Sequence, residues 1–387
     1  NHILKFSGDK SFTMVETQVN DQQVMQFSDD EVIDLIDGFA YYQPGKLSMM
    51  YHGMMCSLYS QDLTKEEMLS VMTSMQTSST GVFMNLKRDT YAIVDLDHLK
   101  YNVELAHSEF KRPLMAVIKA DAYGHGYKEV ASFLKDIDYI EMFAVATLQE
   151  AIELRELGIN KGILILGAIP TSKEDIDLAI KYDISLTMVS VAYLKLLDHL
   201  IDKGQTLKVH IKLDTGMHRI GLMSKEELST LLKLVDPDKF NVEGIFTHFA
   251  TADGDDVAFE KQRSLFYEMI GNCKFKYIHC CNSAAMTYHH DEKSNMGRLG
   301  ITMYGCSPNG EKETKFKQVM SLYTKVAMIK KIPAGDQVGY GLTYTAKEDE
   351  YIATLPIGYA DGFIRKNQGR KVYINGKYYE IVGRVCM

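Results

Sequence analysis

The chain has 387 residues, 46% of them hydrophobic and 24% charged, with a formal net charge of −8. That composition suits a globular protein with a large core and room for a second domain, and the acidic balance without a Lys/Arg run argues against nucleic acid as a partner. No apolar run reaches the ~18 residues of a membrane helix, and the opening "NHILKFSGDKSFTMVETQVN" lacks the apolar core of a signal peptide.

The six cysteines form no C-x-x-C pair, and two of them, Cys280 and Cys281, are adjacent. This pattern speaks against a disulfide framework and against a structural zinc site, and fits a reducing cytoplasm; no metal is expected.

Residues 1–83 stand apart. They are Met-rich ("SMMYHGMMCSLYS") and contain two acidic stretches, 28–38 and 62–76, with the spacing of short helices. Thr64 and Glu67 in "DLTKEEML" make a capping box. On "DDEVIDLIDGF" and "LTKEEM" this stretch resembles the small helical domain that opens pyrimidine nucleoside phosphorylases. The methionines serve either as flexible core filler or as a sticky surface. The expectation is a small helical extension of unknown role, joined by a linker at "QTSSTG" (76–81).

From Tyr91 a regular alternation begins. Apolar, β-branched runs fall at 115–119, 143–147, 162–167, 184–189, 208–214, 244–249, 276–282 and 299–304. Amphipathic stretches such as "GYKEVASFLKDI", "LQEAIELRELG" and "FEKQRSLFYEMIGN" separate them. Buried parallel strands read as continuous apolar runs and need helical crossovers, so residues 84–317 predict an α/β (β/α)8 TIM barrel. An open doubly wound sheet is the alternative, weakened because no G-x-G-x-x-G follows the first strand. From 318 the rhythm changes to strands with Gly-containing turns, "NGK" at 375–377 marking a hairpin. Residues 318–387 predict a mainly-β domain, cut off before it closes. The start at Asn1 and the stop at "VGRVCM" make the chain read as a fragment.

In such barrels the chemistry sits at the C-terminal ends of the strands. There the sequence sets Lys119 with Tyr123 beyond it, Arg219 in "DTGMHRIG", His248, Asn282 and Ser283 in "CNSAA", and Arg298 with glycine amides in "GRLGI". Each alone has a plain structural reading: a solvated lysine, a satisfied histidine, an Arg219–Asp214 ion pair, a helix cap. Together they describe an anion-binding pocket containing a nucleophilic amine. A lysine beside a phosphate site suggests a phosphorylated carbonyl cofactor held as a Schiff base.

At these residues the sequence resembles the alanine racemases, pyridoxal-phosphate enzymes with a barrel and a β domain. The stretches that carry the resemblance are "DTYAIVDLDHLKYNV", "AVIKADAYGHG", "VATLQEAIELRELGI", "KLDTGMHRIG", "THFATAD", "CNSAA", "GRLGITMYG", "VGYGLTYTA", "LPIGYADGF" and "VGRVCM", in family order from about residue 84 to the end. The third position of K-A-x-A-Y-G-H-G is Asp121 here.

The resemblance implies roles. Lys119 holds pyridoxal 5'-phosphate and is one catalytic base; Tyr340, in "VGYGLTY", is the second, supplied by the partner subunit of a homodimer. Tyr123, Ser283 and the amides of Gly300 and Ile301 bind the phosphate, with Asn282 beside them. Arg298 faces the pyridine nitrogen and His248 the ring. Arg219 and the amide of Met387 take the substrate carboxylate. The acidic residue that the family places after Met387, its remaining β strands and a further phosphate-binding tyrosine are absent from this sequence.

Two bases on opposite faces suit removal of the Cα proton on one side and its return on the other. Nearby positive charge must depress their pKa values, ~10 and ~10.4 for tyrosine and lysine, for work near neutrality. A charged arginine opposite the pyridine disfavours its protonation and restrains transamination. The expected activity is interconversion of L- and D-alanine for peptidoglycan, in the cytoplasm. A serine or broad-specificity racemase, or a non-catalytic pyridoxal-phosphate-binding barrel, are the alternatives; Tyr340 speaks against the last.

Overall fold

The computed structural model describes residues 89–169, 172–289, 291–311 and 314–387, with the backbone of six strands within 2–59. The chain forms two compact units, Ala92–Leu322 and, from the chain on either side of it, Asn1–Tyr91 with Tyr323–Met387.

Ala92–Leu322 contains eight parallel strands: β1 (Leu114–Val117), β2 (Ile140–Val145), β3 (Gly162–Ile165), β4 (Leu186–Met188), β5 (Leu207–Lys212), β6 (Phe240–Phe246), β7 (Tyr277–Ile278) and β8 (Gly297–Leu299). Ladders run in the order β3-β2-β1-β8 and β4-β5-β6-β7. Two seams close the ring. The amide of Ser185 donates to the Ile163 carbonyl at 2.9 Å and that of Ile165 to Ser185 at 3.0 Å; across the other seam Arg298 donates to Cys281 at 2.9 Å. Helices Tyr127–Leu134, Leu148–Glu156, Lys173–Lys181, Val191–Leu200, Lys225–Leu234 and Asp256–Ile270 occupy the amphipathic stretches. Closed barrel, rather than open sheet, is the outcome.

Period-two alternation sorts the side chains. Leu114 and Ala116, like Leu207, Val209 and Ile211, face outward into the layer shared with the helices. Met115 and Val117 turn inward, joining Met142, Ala144, Leu164 and Met296. The opposite parity of β5 buries His210 and Lys212 instead, and β8 buries Arg298. The barrel interior is therefore apolar on one side and cationic on the other.

Helix starts follow local sequence. Thr147 and Glu150, and Ser172 and Asp175, form reciprocal capping boxes; Ser190, Ser224 and Asp255 cap with single side-chain bonds.

Three expectations are corrected. Within 28–38, Glu31–Leu35 is not helical; it pairs antiparallel with Gly38–Gln43 in a six-stranded sheet. The dipeptides Asp37-Gly38 and Pro44-Gly45 are turn signals between β-branched or aromatic runs, and this outweighs the helical spacing. The likeness to a small helical domain falls with it. The Thr64 capping box and 62–76 lie outside the described residues. The last barrel strand ends at Leu299, because Gly300 adopts φ −121°, ψ −104° and Ile301–Tyr304 turns into a 3-10 helix. The first ends at Val117, so Lys119 opens a turn instead of closing the strand.

In the other unit, Met328–Ile332 pairs antiparallel with Glu350–Thr354, and Gln337–Val338 with Tyr344–Thr345. The expected hairpin at 375–377 is present. Asn375 (φ 46°) and Gly376 (φ 87°) take the left-handed conformation that a two-residue turn between Ile374 and Lys377 requires.

Candidate active site

Lys119 shares the inward parity of Met115 and Val117 and stands just past the C-terminal end of β1. The next four residues, Ala120 to Tyr123, all take positive φ between 50° and 57°, one turn of left-handed helix in residues that carry a Cβ. Such a turn costs about 1–2 kcal/mol per residue, so its surroundings must impose it. They do so with hydrogen bonds. Ala120 N donates to Glu150 Oε1 at 2.8 Å. Ala122 N bonds the Ile118 carbonyl at 2.9 Å. Asp121 Oδ1 accepts from Tyr127 N, the first residue of the following helix, at 3.0 Å. The residue that departs from the family motif thus secures the exit of the turn.

The turn aims Tyr123 toward β8. Its ring packs on Tyr304, centroids 5.0 Å apart, and Tyr304 is fixed by its hydroxyl donating to the Val117 carbonyl at 2.9 Å. A Cβ added at Gly300 would stand 3.1 Å from Tyr123 Oη and 3.7 Å from Ser283 Oγ. Ser283 Oγ accepts the Gly300 N–H at 2.9 Å, while Asn282, one residue earlier, caps the helix through Ala285 N at 3.0 Å. Asn282, not Ser283, is therefore the cap. Two hydroxyls and a backbone amide converge on a space that only glycine leaves open.

Arg298 lies on β8, 3% exposed. Its guanidinium donates to the carbonyls of His279, Thr247 (2.7 Å) and Cys280 (3.3 Å), and approaches His279 Nδ1 at 3.1 Å and His248 Nδ1 at 3.4 Å. Among the described residues no carboxylate pairs with it. Burial brings its pKa to about 10. Burial, with Arg298, Lys212, Arg219 and Lys119, holds His248 at about 3, so that imidazole is neutral. Burial, then Arg219 and Arg298, lowers the Lys119 amine, with Glu150 opposing.

Asp214 and Arg219 do not pair through their side chains. Asp214 accepts the amides of Gly216 (3.0 Å), His218 (2.9 Å) and Arg219 (2.9 Å), which outweigh its burial and hold its carboxyl below the usual range. The loop folds back so closely that a Cβ at Gly221 would stand 2.7 Å from Asp214 N. Arg219 is left with its guanidinium free of that carboxylate.

Motif reading missed three participants. Lys212 is buried, its amine brought to about 7 mainly by burial and Arg298, and it donates to the Leu213 carbonyl at 2.9 Å. His279 joins Arg298 to His210, whose Nδ1 lies 2.8 Å from His279 Nε2. Glu150 supports the strained turn. Inward parity on β5 is the signal that could have exposed Lys212.

Tyr340 and Met387 belong to the other unit. Tyr340 opens a tight turn between Gly339 and Gly341, both at positive φ, and is 65% exposed. Arg384 packs where a Cβ of Gly341 would be, 3.1 Å from its guanidinium carbon. The Met387 backbone runs against Gly358, whose missing Cβ makes room for it.

The fold and site define a barrel with lysine, arginine and hydroxyl side chains gathered beyond the C-terminal ends of its strands. Residues 94–308 match the family model "Alanine racemase, N-terminal domain", and 319–387 match "Alanine racemase, C-terminal domain". The alanine racemase of Lactococcus lactis subsp. lactis (strain IL1403) is 44% identical over 309 residues, 78% of this chain and 83% of that protein. Among solved structures, alanine racemase from E. faecalis superposes with a TM-score of 0.74 at 39% identity, covering 79% of this chain and 84% of the other. A histidine racemase from Leuconostoc mesenteroides subsp. sake NBRC 102480 gives 0.71 at 30% identity, covering 78% and 83%. The chain belongs to the alanine racemase family and is an isomerase acting on an amino acid.

Proposed function

We propose that this chain interconverts L- and D-alanine with pyridoxal 5'-phosphate, using Lys119 and Tyr340 as opposed bases. The cup at Gly300 carries the reading: two hydroxyls and an amide around a space a Cβ would fill, beside a buried arginine with no carboxylate partner among the described residues. Its donors fit a phosphate at Tyr123, Ser283, Gly300 and Ile301, with Asn282 fixing the local backbone. Arg298 would face the ring nitrogen and His248, neutral, the ring. When bound, the cofactor draws the substrate's Cα electron pair toward its ring and so acidifies the Cα proton.

The protein's part is to hold and move that proton. Lys119 has an amine depressed by burial and two guanidiniums, so more of it is neutral near pH 7 and able to accept the proton on one face. Tyr340 would deliver a proton on the other face, from the partner subunit of a homodimer. Arg219, released from Asp214, would orient the substrate carboxylate with the Met387 amide. The setting is cytoplasmic supply of D-alanine for peptidoglycan.

The relative named a histidine racemase indicates that this fold accommodates larger side chains. Incubation in D2O with L-alanine, L-serine and L-histidine, followed by loss of the Cα proton signal, tests both activity and selectivity. Fastest exchange with alanine is expected. No exchange with any of the three overturns catalysis; faster exchange with serine or histidine overturns the substrate.

A further inference from the structure

Beside Arg298, whose guanidinium bonds the Cys280 carbonyl, a second group of side chains has no part in the reaction above. Cys280 and Cys281 are adjacent, yet their sulfurs lie only 3.9 Å apart, so both side chains turn toward one point. Asp291 Oδ2 stands 3.6 Å from Cys280 Sγ. Each residue is buried, and their donor atoms all lie within 4.8 Å of one another.

We propose that Cys280, Cys281 and Asp291 form a binding site for a thiophilic divalent cation, of which Zn2+ is the type. The two separations made by Cys280 Sγ, 3.9 Å to Cys281 Sγ and 3.6 Å to Asp291 Oδ2, match tetrahedral coordination. With Zn–S near 2.3 Å and Zn–O near 2.0 Å, two sulfurs stand ~3.8 Å apart and a sulfur and an oxygen ~3.5 Å apart. The carboxylate is already oriented: Asp291 Oδ1 accepts from Tyr267 Oη (2.7 Å), Lys293 N (3.0 Å) and Ser294 N (2.8 Å), leaving Oδ2 toward the thiols. A ligand held by outer hydrogen bonds is the usual support of a metal site. Tyr267 Oη also lies 3.3 Å from Cys280 Sγ.

Charge favours occupation. Binding releases one proton from each thiol, so the cation, two thiolates and one carboxylate sum to a net charge of −1. That charge would lie close to Arg298, which bonds the Cys280 carbonyl and has no carboxylate partner among the described residues.

The test uses the full chain, stripped with chelator, incubated to equilibrium with Zn2+ and dialysed. One zinc per chain should be retained, and X-ray absorption at the zinc edge should show two sulfurs at about 2.3 Å with oxygen at about 2.0–2.2 Å. Cys280→Ser and Cys281→Ala should each lose the ion, while Cys273→Ser, at an exposed cysteine, keeps it. Failure of the unmodified chain to retain zinc, a shell without two sulfurs, or undiminished retention by Cys281→Ala overturns the site. As buried substitutions can disturb the strand end, Co2+ added to the unmodified chain gives an independent reading. Sulfur-to-cobalt charge-transfer absorption is expected, and its absence overturns the assignment whatever the variants do.

Discussion

Glu150 Oε1 accepts the amide of Ala120 at 2.8 Å, while its Oε2 accepts those of Ala146 (2.7 Å) and Thr147 (3.1 Å). One carboxylate therefore caps a helix after β2 and pins the left-handed turn that follows Lys119, beyond the end of β1. Glu150→Ala leaves three amides without this acceptor and should destabilise the fold by about 1–3 kcal/mol in urea unfolding. It also removes the charge that raises the Lys119 amine, so the pH profile of activity should move to lower pH. An unmoved profile would separate Glu150 from the catalytic amine.

Replacing Lys119 by alanine should abolish racemisation, and borohydride reduction of the cofactor-loaded protein should label the peptide containing Lys119. Label on any other lysine, Lys212 included, contradicts the assignment.

Tyr340→Phe removes one proton donor and leaves the ring. A drop of about 10²–10⁴-fold in turnover is expected, with cofactor absorbance unchanged. Mixed dimers of Tyr340→Phe and Lys119→Ala chains test sharing between subunits. If each site combines Lys119 of one chain with Tyr340 of the other, a mixed dimer keeps one intact site and recovers activity. No recovery places both bases in one chain.

At Gly300 a valine would press on Tyr123 Oη and Ser283 Oγ. Gly300→Val should weaken pyridoxal-phosphate binding by at least about tenfold, and Ser283→Ala by less, measured by equilibrium dialysis. Equal affinity in all three proteins would remove the cup from the cofactor's site.

Stability should fall in mild acid. Burial holds His210 and His248 at about 3, and His279 well below its ordinary value. Unfolded, each titrates near 6.5. Between those values the unfolded chain binds protons that the fold refuses, so this stability is complete above about pH 6.5 and is lost as pH falls toward 3. The slope is about 1.4 kcal/mol per pH unit for each histidine. Urea unfolding of the cofactor-free protein at pH 7 and pH 5 checks it; equal midpoints would contradict it.

Much of the barrel was legible because burial on both faces writes each strand as an apolar run and each crossover as an amphipathic one. All eight runs contain or overlap a strand, and the motif glycines mark where the backbone approaches closely, as at Gly300 and Gly221. The stretch 28–38 misled because helical spacing and a Gly-punctuated hairpin coincide over so few residues, and the pairing of Glu31–Leu35 with Gly38–Gln43 decides between them.

Sequence alone determined the residue types and their order: a lysine after the first strand, arginine, histidine and serine after later ones, and a glycine-flanked tyrosine beyond. Tertiary structure decided what those residues became. Only the closed ring sets Arg298 against His279 and Thr247, frees Arg219 by giving Asp214 three amides, and forces four residues after Lys119 into a left-handed turn. It also turned Cys280 and Cys281 toward Asp291. The physical reason is that charge, strain and desolvation depend on neighbours distant in the chain, which local pattern does not specify.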